Sequence, residues 1–201
     1  MTIYIVRHGE TEFNKLGIVQ GSSVDTDLND KGRSQAKAFY DHHQHVDFKL
    51  VVTSALKRTH QTVQGFIEKG LPWHITSDIN EITWGHHEGK VISPEYKVLW
   101  DEVRIAWNSG DLSARMPGGE SAQELNDRLV RFIDWLKQRS EDHVLVCMHG
   151  RSMRGLVSLL KGVSLAEMEG NPHVNTGYYV AKFQDGVFHF TAENATPHLV
   201  D

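Results

Sequence analysis

Three short apolar runs constrain this chain more than anything else in it: residues 2–6 (TIYIV), 50–52 (LVV) and 143–148 (HVLVCM). Each is rich in β-branched residues, too short for a core helix and apolar on both faces, so each reads as a strand buried on both sides. Between them lie longer stretches with helical spacing. Residues 31–43 follow Asn29 or Asp30 as cap and place Ala36, Phe39 and Tyr40 on one side; residues 55–69 follow Ser54 as cap. Residues 94–107 space Tyr96, Leu99, Trp100, Val103 and Trp107 helically, and residues 120–139 do the same with Leu125, Leu129, Phe132, Ile133 and Leu136. Further helices are expected at 153–161 and 165–169, a short strand at 73–76, a Gly-containing loop at 80–90, and a hairpin of strands 178–183 and 187–191 around Asp185-Gly186. Strands alternating with helices specify an α/β fold, a three-layer α/β/α sandwich with a mostly parallel central sheet.

The 201 residues suit one domain over 1–201, with residues 82–118 as a helical cap on the carboxyl edge of the sheet. A net charge of −5 and the lack of any long Lys/Arg block argue against a nucleic-acid partner. No apolar run approaches the roughly 20 residues of a membrane span, and the chain enters a strand pattern directly, so a cytoplasmic protein without membrane contact is expected. The one cysteine, Cys147, excludes an internal disulfide and falls in a buried strand. His42, His43 and His45, and His86 with His87, lack zinc-ligand spacing, so no metal is expected. Trp73, Trp84, Trp100, Trp107 and Trp135 read as core or pocket wall.

All three strong strands stop on polar residues: Arg7-His8, Thr53-Ser54 and His149-Gly150. Open α/β sheets bind ligands at the carboxyl ends of their strands, so these residues form a candidate site. A neutral imidazole at His8 is a competent nucleophile near neutral pH. Attack on a phosphate ester needs its oxygens neutralised, which the forked donors of Arg7 and of Arg58, one turn into the next helix, can do. Gly9 would let the backbone approach an anion closely.

The ordered set of motifs resembles the histidine phosphatase superfamily, also called phosphoglycerate mutase-like. It begins with Arg7-His8-Gly9-Glu10-Thr11, Asn14, Gln20-Gly21 and the Asp27–Gly32 segment. Ser54-Ala55-Leu56-Lys57-Arg58-Thr59, Asn80-Glu81, Gly85, Glu88-Gly89, Pro117-Gly118-Gly119-Glu120-Ser121 and His149-Gly150 continue it, over about residues 1–160. The resemblance implies a phosphoglycerate mutase-like fold and a phosphohistidine on His8. Arg7, Arg58 and His149 would be positive donors around the phosphoryl group, with the Gly150 backbone N–H beside them. It implies that Thr11, Asn14, Gln20 and Gly21 belong to the phosphate pocket and that Glu81 is the proton donor and acceptor. Partly desolvated beside Trp84, Glu81 would suit that role. No cofactor is implied.

Three functions share this core: a metal-independent phosphomonoesterase, a cofactor-dependent phosphoglycerate mutase, and a non-catalytic phosphate-binding or interaction domain. Arg7, His8, Arg58, Glu81 and His149 together argue against the last. Ile82-Thr83-Trp84, and only Lys97, Arg104 and Arg115 within residues 91–115, lack the substrate-gripping basic residues of the mutases. The phosphatase reading therefore leads, with a small phosphorylated metabolite as partner; a homodimer is compatible with the sequence. Tyr96, Trp100, Trp107 and Met116 would wall the cap against ring-bearing phosphates or simply pack it down. Arg151 departs from the small residue common after His-Gly, either adding a pocket charge or pointing outward.

Overall fold

The computed structural model describes residues 1–199. Its six strands are β1 (Thr2–Arg7), β2 (Leu50–Thr53), β3 (Trp73–Ile75), β4 (His143–Met148), β5 (Tyr178–Gln184) and β6 (Val187–Ala195), in the sheet order β3-β2-β4-β1-β5-β6. The β1–β4, β2–β4 and β2–β3 pairs are parallel, and only β5 runs against the rest. The β5–β6 hairpin turns at Asp185 and Gly186, both at positive φ, which suits the right-handed twist of the flanking strands. The helices are α1 (Glu12–Leu16), α2 (Asp30–His43), α3 (Lys57–Thr62), α4 (Gln64–Glu68), α5 (Pro94–Asn108), α6 (Ala122–Lys137) and α7 (Gly150–Leu160).

Successive strand side chains point to opposite faces, so the apolar runs feed two cores. Ile3, Ile5, Val52, Val144 and Val146 pack with Leu125, Leu129 and Phe132 of α6 and Leu156 of α7. Val6, Val51, Leu145 and Cys147 pack with Phe39 of α2, Phe48 and Phe66 of α4. Helices on both faces give the expected three layers. Each large aliphatic side chain buried this way contributes about 1.5–3 kcal/mol, which is what fastens α6 to the sheet. Its start is set locally: the Ser121 hydroxyl accepts the Glu124 N–H while the Glu124 carboxylate accepts the Ser121 N–H.

Three sequence expectations need correction. The helix expected over 55–69 is two helices, α3 and α4, and Ser54 caps neither; the chain stays extended at Leu56. The break at Val63 has a local cause. The Thr62 hydroxyl donates back to the Arg58 carbonyl at 2.6 Å, a contact that bends helices, and accepts the Gly9 N–H at 2.9 Å. Helix α7 begins at Gly150, three residues before expected, because Glu81 accepts two of its first N–H groups. Trp73 is neither core nor pocket wall: it is 40% exposed on edge strand β3.

Register positions the site. Arg7 stands opposite Met148 and Thr53 opposite Cys147, and the His8 N–H donates to the Met148 carbonyl at 3.0 Å. The carboxyl ends of β1, β2 and β4 are thus level, and the chain leaves all three at one edge.

Candidate active site

His8 is buried immediately beyond β1. Its Nδ1–H donates to the carbonyl of Gly9 at 2.7 Å, which places the lone pair on Nε2. Burial, then the charges of Arg58 and Arg7, hold the imidazole well below its ordinary value, so it is neutral at physiological pH. The Asn175 amide donates to the His8 carbonyl at 3.0 Å and to Asn14 Oδ1 at 3.3 Å, tying the β1 end to the loop before β5.

Arg58 is fully buried. Its Nε donates to His149 Nδ1 at 3.1 Å, its Nη1 to the Val24 carbonyl at 2.8 Å and its Nη2 to the Gly21 carbonyl at 3.2 Å. Two of its five N–H groups stay uncommitted. Burial brings Arg58 and Arg7 down to about 10, Glu81 opposing the shift in both, so each remains a cation. Arg7 Nε is buried without a hydrogen-bond partner among the described residues.

His149 differs from its expected role as a positive donor. Arg58 can only donate, so His149 Nδ1 accepts and the ring proton sits on Nε2, 2.8 Å from Ser54 Oγ. Burial and the Arg58 charge keep this imidazole neutral as well. The two rings lie 5.1 Å apart by centroid.

Glu81 is 8% exposed, and its carboxylate accepts three backbone N–H groups. Those of Ile82 and Ser152 reach Oε1 at 2.9 and 3.0 Å, and that of Arg151 reaches Oε2 at 3.0 Å. Two come from the first turn of α7, where a negative charge also meets the helix dipole favourably. The carboxylate is therefore fixed in orientation, near enough to Arg7 and Arg58 to act on their titration.

The remaining expected residues support this set. Thr11 caps α1, accepting the Asn14 N–H, and its hydroxyl donates to Gln20 Oε1 at 2.8 Å. Gly21 supplies the carbonyl for Arg58. Gly9 is corrected: its N–H is spent on Thr62, and what it approaches is α2, since a Cβ there would stand 2.6 Å from the Gly32 carbonyl oxygen. Gly150 opens α7 against His173.

Sequence reasoning missed Ser54 as the His149 partner, and missed His173 and Asn175 altogether. Ser54 had a signal, its place at a strand end; His173 and Asn175 lie in an irregular loop beyond the motif-bearing stretch and had none. Arg151 is not turned outward. Its guanidinium lies over the Trp100 ring at 4.7 Å and pairs with Glu169. Tyr96, Trp107 and Met116 belong to the core and Trp100 packs against it, so these side chains pack the molecule rather than wall a pocket. Burial pushes the Cys147 thiol well up. Among the described residues no cluster of three or more His, Cys, Asp or Glu is arranged for a metal, and no helix is long and apolar enough to cross a membrane.

A concavity of about 530 Å³ is lined by Glu81 together with Asn80, Thr83, Glu120 and Arg128, and not by His8. Its arginines are already neutralised, Arg128 by Glu120 at 2.7 Å and Arg131 by Asp78 at 2.8 Å. Reactive groups converge instead at His8, Arg58 and His149.

Known proteins resemble this chain in sequence and in fold. Putative phosphoserine phosphatase 2 of Hydrogenobacter thermophilus is 26% identical over 167 residues, covering 83% of this chain and 81% of that protein. The adenosylcobalamin/alpha-ribazole phosphatase of Salmonella typhimurium is 32% identical over 165 residues, 80% of this chain and 77% of that protein. The crystal structure of the alpha-ribazole phosphatase from Shigella flexneri superposes with a TM-score of 0.85 at 25% identity, covering 97% of this chain and 96% of that one. Residues 3–196 match the sequence profile of the superfamily itself, and with that match over nearly its whole length this chain belongs to the histidine phosphatase superfamily (branch 1).

Proposed function

We propose that this chain is a phosphomonoesterase that transfers the phosphoryl group of a small metabolite to His8 Nε2 and then to water. The observation that carries the reading is the state of His8: a neutral imidazole with its proton directed to Gly9, its lone pair on Nε2, and the guanidiniums of buried Arg58 and part-buried Arg7 beside it. Nε2 attacks phosphorus, the P–O ester bond breaks, and the departing alkoxide takes a proton from Glu81. A water then gives its proton back to Glu81 and attacks phosphorus, breaking the P–N bond and releasing inorganic phosphate. Arg7 and Arg58 bear the charge on the equatorial oxygens; a preorganised donor of this kind contributes about 2.7–4 kcal/mol to the barrier. Side-chain cations supply what a metal ion would otherwise supply. His149, pinned between Arg58 and Ser54, orients the Arg58 fork and can turn its Nε2–H to the phosphoryl group.

Most of the relatives' names are those of phosphatases, with probable phosphoglycerate mutases among them, and residues 82–118 are proposed as the cap that selects among esters. Against a mutase, Arg104 and Arg115 of that cap are already paired with Asp101 and Glu124. The test measures phosphate release from a panel of phosphomonoesters in chelator-treated buffer, with acid-labile phosphoprotein quantified in parallel. Wild type should show both and His8→Ala neither; turnover surviving that substitution would overturn the mechanism.

A further inference from the structure

The backbone that carries the nucleophile is held from several sides. The trans peptide between His8 and Gly9 presents its carbonyl on one edge and its N–H on the other. The Asn175 amide donates to that carbonyl at 3.0 Å, and Thr62 Oγ1 accepts that N–H at 2.9 Å. The next peptide, Gly9 to Glu10, is fixed in the same way. Its N–H donates to Gln35 Oε1 at 2.9 Å, and its carbonyl accepts the His8 Nδ1 proton at 2.7 Å. The acceptor that directs the His8 lone pair to Nε2 thus lies between two clamped peptide units. It belongs to a glycine, the residue with the freest backbone. Gly9 cannot be stiffened by a side chain, because a Cβ there would stand 2.6 Å from the Gly32 carbonyl oxygen. Rigidity at this point has to come from neighbouring contacts.

Asn175 is itself held by an unusual backbone. The next residue, Thr176, is fully buried at φ +56°, a conformation that a β-branched residue rarely adopts and keeps only when its surroundings over-determine it. Three hydrogen bonds do so here. Its N–H donates to the Arg7 carbonyl at 3.0 Å. Its hydroxyl donates to the Asn175 carbonyl at 2.8 Å, and therefore accepts the Nε2–H of buried His198 at 3.0 Å. The Asn175 amide also donates to Asn14 Oδ1 at 3.3 Å, an oxygen that accepts the Thr11 N–H as well. A flipped Asn175 amide would set its own oxygen against two acceptors, so its orientation is fixed.

We propose that Asn175, together with Thr62 and Gln35, is a positioning residue for the nucleophile. The three hold the Gly9 carbonyl where it takes the Nδ1 proton, and so keep the attacking lone pair of His8 on Nε2. The inference rests on the phosphatase reading, in which Nε2 is the atom that attacks. The cations are the rival cause, since Arg7 and Arg58 also favour a lone pair over a proton on the ring edge that faces them. If they alone set the tautomer, the contacts on the two peptides would serve only to tie α2, α3 and the loop before β5 to the end of β1.

The test is 15N NMR of protein labelled in its histidine rings, at neutral pH and without ligand, with the His8 signals assigned by their loss in His8→Ala. Wild type should carry the His8 proton on Nδ1. Asn175→Ala should shift the tautomer ratio towards Nε2–H by about tenfold, the equivalent of one hydrogen bond. The same variant should slow phosphoenzyme formation from p-nitrophenyl phosphate by at least about tenfold. Gln35→Leu, in the outer helix layer, should move both readouts in the same direction, and it decides the matter should Asn175→Ala not fold. Gln35→Glu, which keeps an acceptor for the Glu10 N–H, should restore both. A wild-type His8 protonated on Nε2 overturns the proposal, and so do variants that lose stability while keeping the tautomer and the rate. Failure of the phosphatase reading shows differently: no ester yields phosphoenzyme from wild type, whatever the tautomer.

Discussion

Replacing Glu81 by glutamine tests more than proton transfer, because the structure gives the carboxylate two tasks. Oε1 accepts from Ile82 and Ser152, and Oε2 from Arg151. In either amide orientation the new NH2 group faces at least one backbone N–H that has lost its acceptor. A hydrogen bond to a charged group is worth about 1.5–3 kcal/mol, and the charge at the helix start about 0.3–1 kcal/mol more, so Glu81→Gln should destabilise the fold by about 2–4 kcal/mol. Catalysis should fall further, by about 10²–10⁴-fold, the share assigned to general acid–base transfer. The two effects separate by assay. Guanidinium denaturation reads the first. For the second, kcat/KM should collapse for glycerol phosphate, whose alkoxide needs the proton, and fall much less for p-nitrophenyl phosphate, whose leaving group does not. Equal losses for the two esters would refute Glu81 as the proton donor, and an unchanged denaturation midpoint would refute its role in anchoring α7.

Other outcomes follow from the same geometry. His8, His149, His173, His43 and His198 are all held below their ordinary values, the last three at about 3, 4 and 4. The unfolded chain therefore binds more protons than the folded one, and stability is greatest above about pH 6.5. Between there and about pH 4 it should fall by about 1.4 kcal/mol per unit for each histidine that must charge; denaturation midpoints that stay flat from pH 7 to 4.5 would refute the buried neutral imidazoles. Thr62→Val keeps the β-branched shape but leaves the Gly9 N–H without its acceptor. It should cost about 1–3 kcal/mol by denaturation, and a change under about 0.5 kcal/mol, the size of an ordinary surface substitution, would refute that link.

Much of the fold was readable before any coordinates. The runs at 2–6, 50–52 and 143–148 could only be doubly buried strands, and the spacing of Leu125, Leu129, Phe132, Ile133 and Leu136 marked α6, although the Ser121–Glu124 cap starts it at Ala122 rather than at residue 120. The helix over 55–69 was misread because nothing local announces that the Thr62 hydroxyl will turn back on Arg58 and take the Gly9 N–H. The start of α7 was misplaced because its capping carboxylate, Glu81, comes from 70 residues away. Both errors have one cause: a long-range hydrogen bond replaced the local one that spacing rules assume.

The same division holds for the site. Residue type and position after a strand identified His8, Arg7, Arg58 and His149, since imidazole and guanidinium chemistry belongs to the side chain wherever the chain carries it. Their protonation states, and the partners that set them, belonged to the tertiary structure alone. Only burial beside Arg58 makes His149 neutral, and only the approach of α5 and the Leu165–Gly170 turn to α7 draws Arg151 inward onto Trp100 and Glu169. Sequence determined which groups were available for chemistry; packing, by removing water and choosing each group's neighbours, decided what charge they carry and what they face.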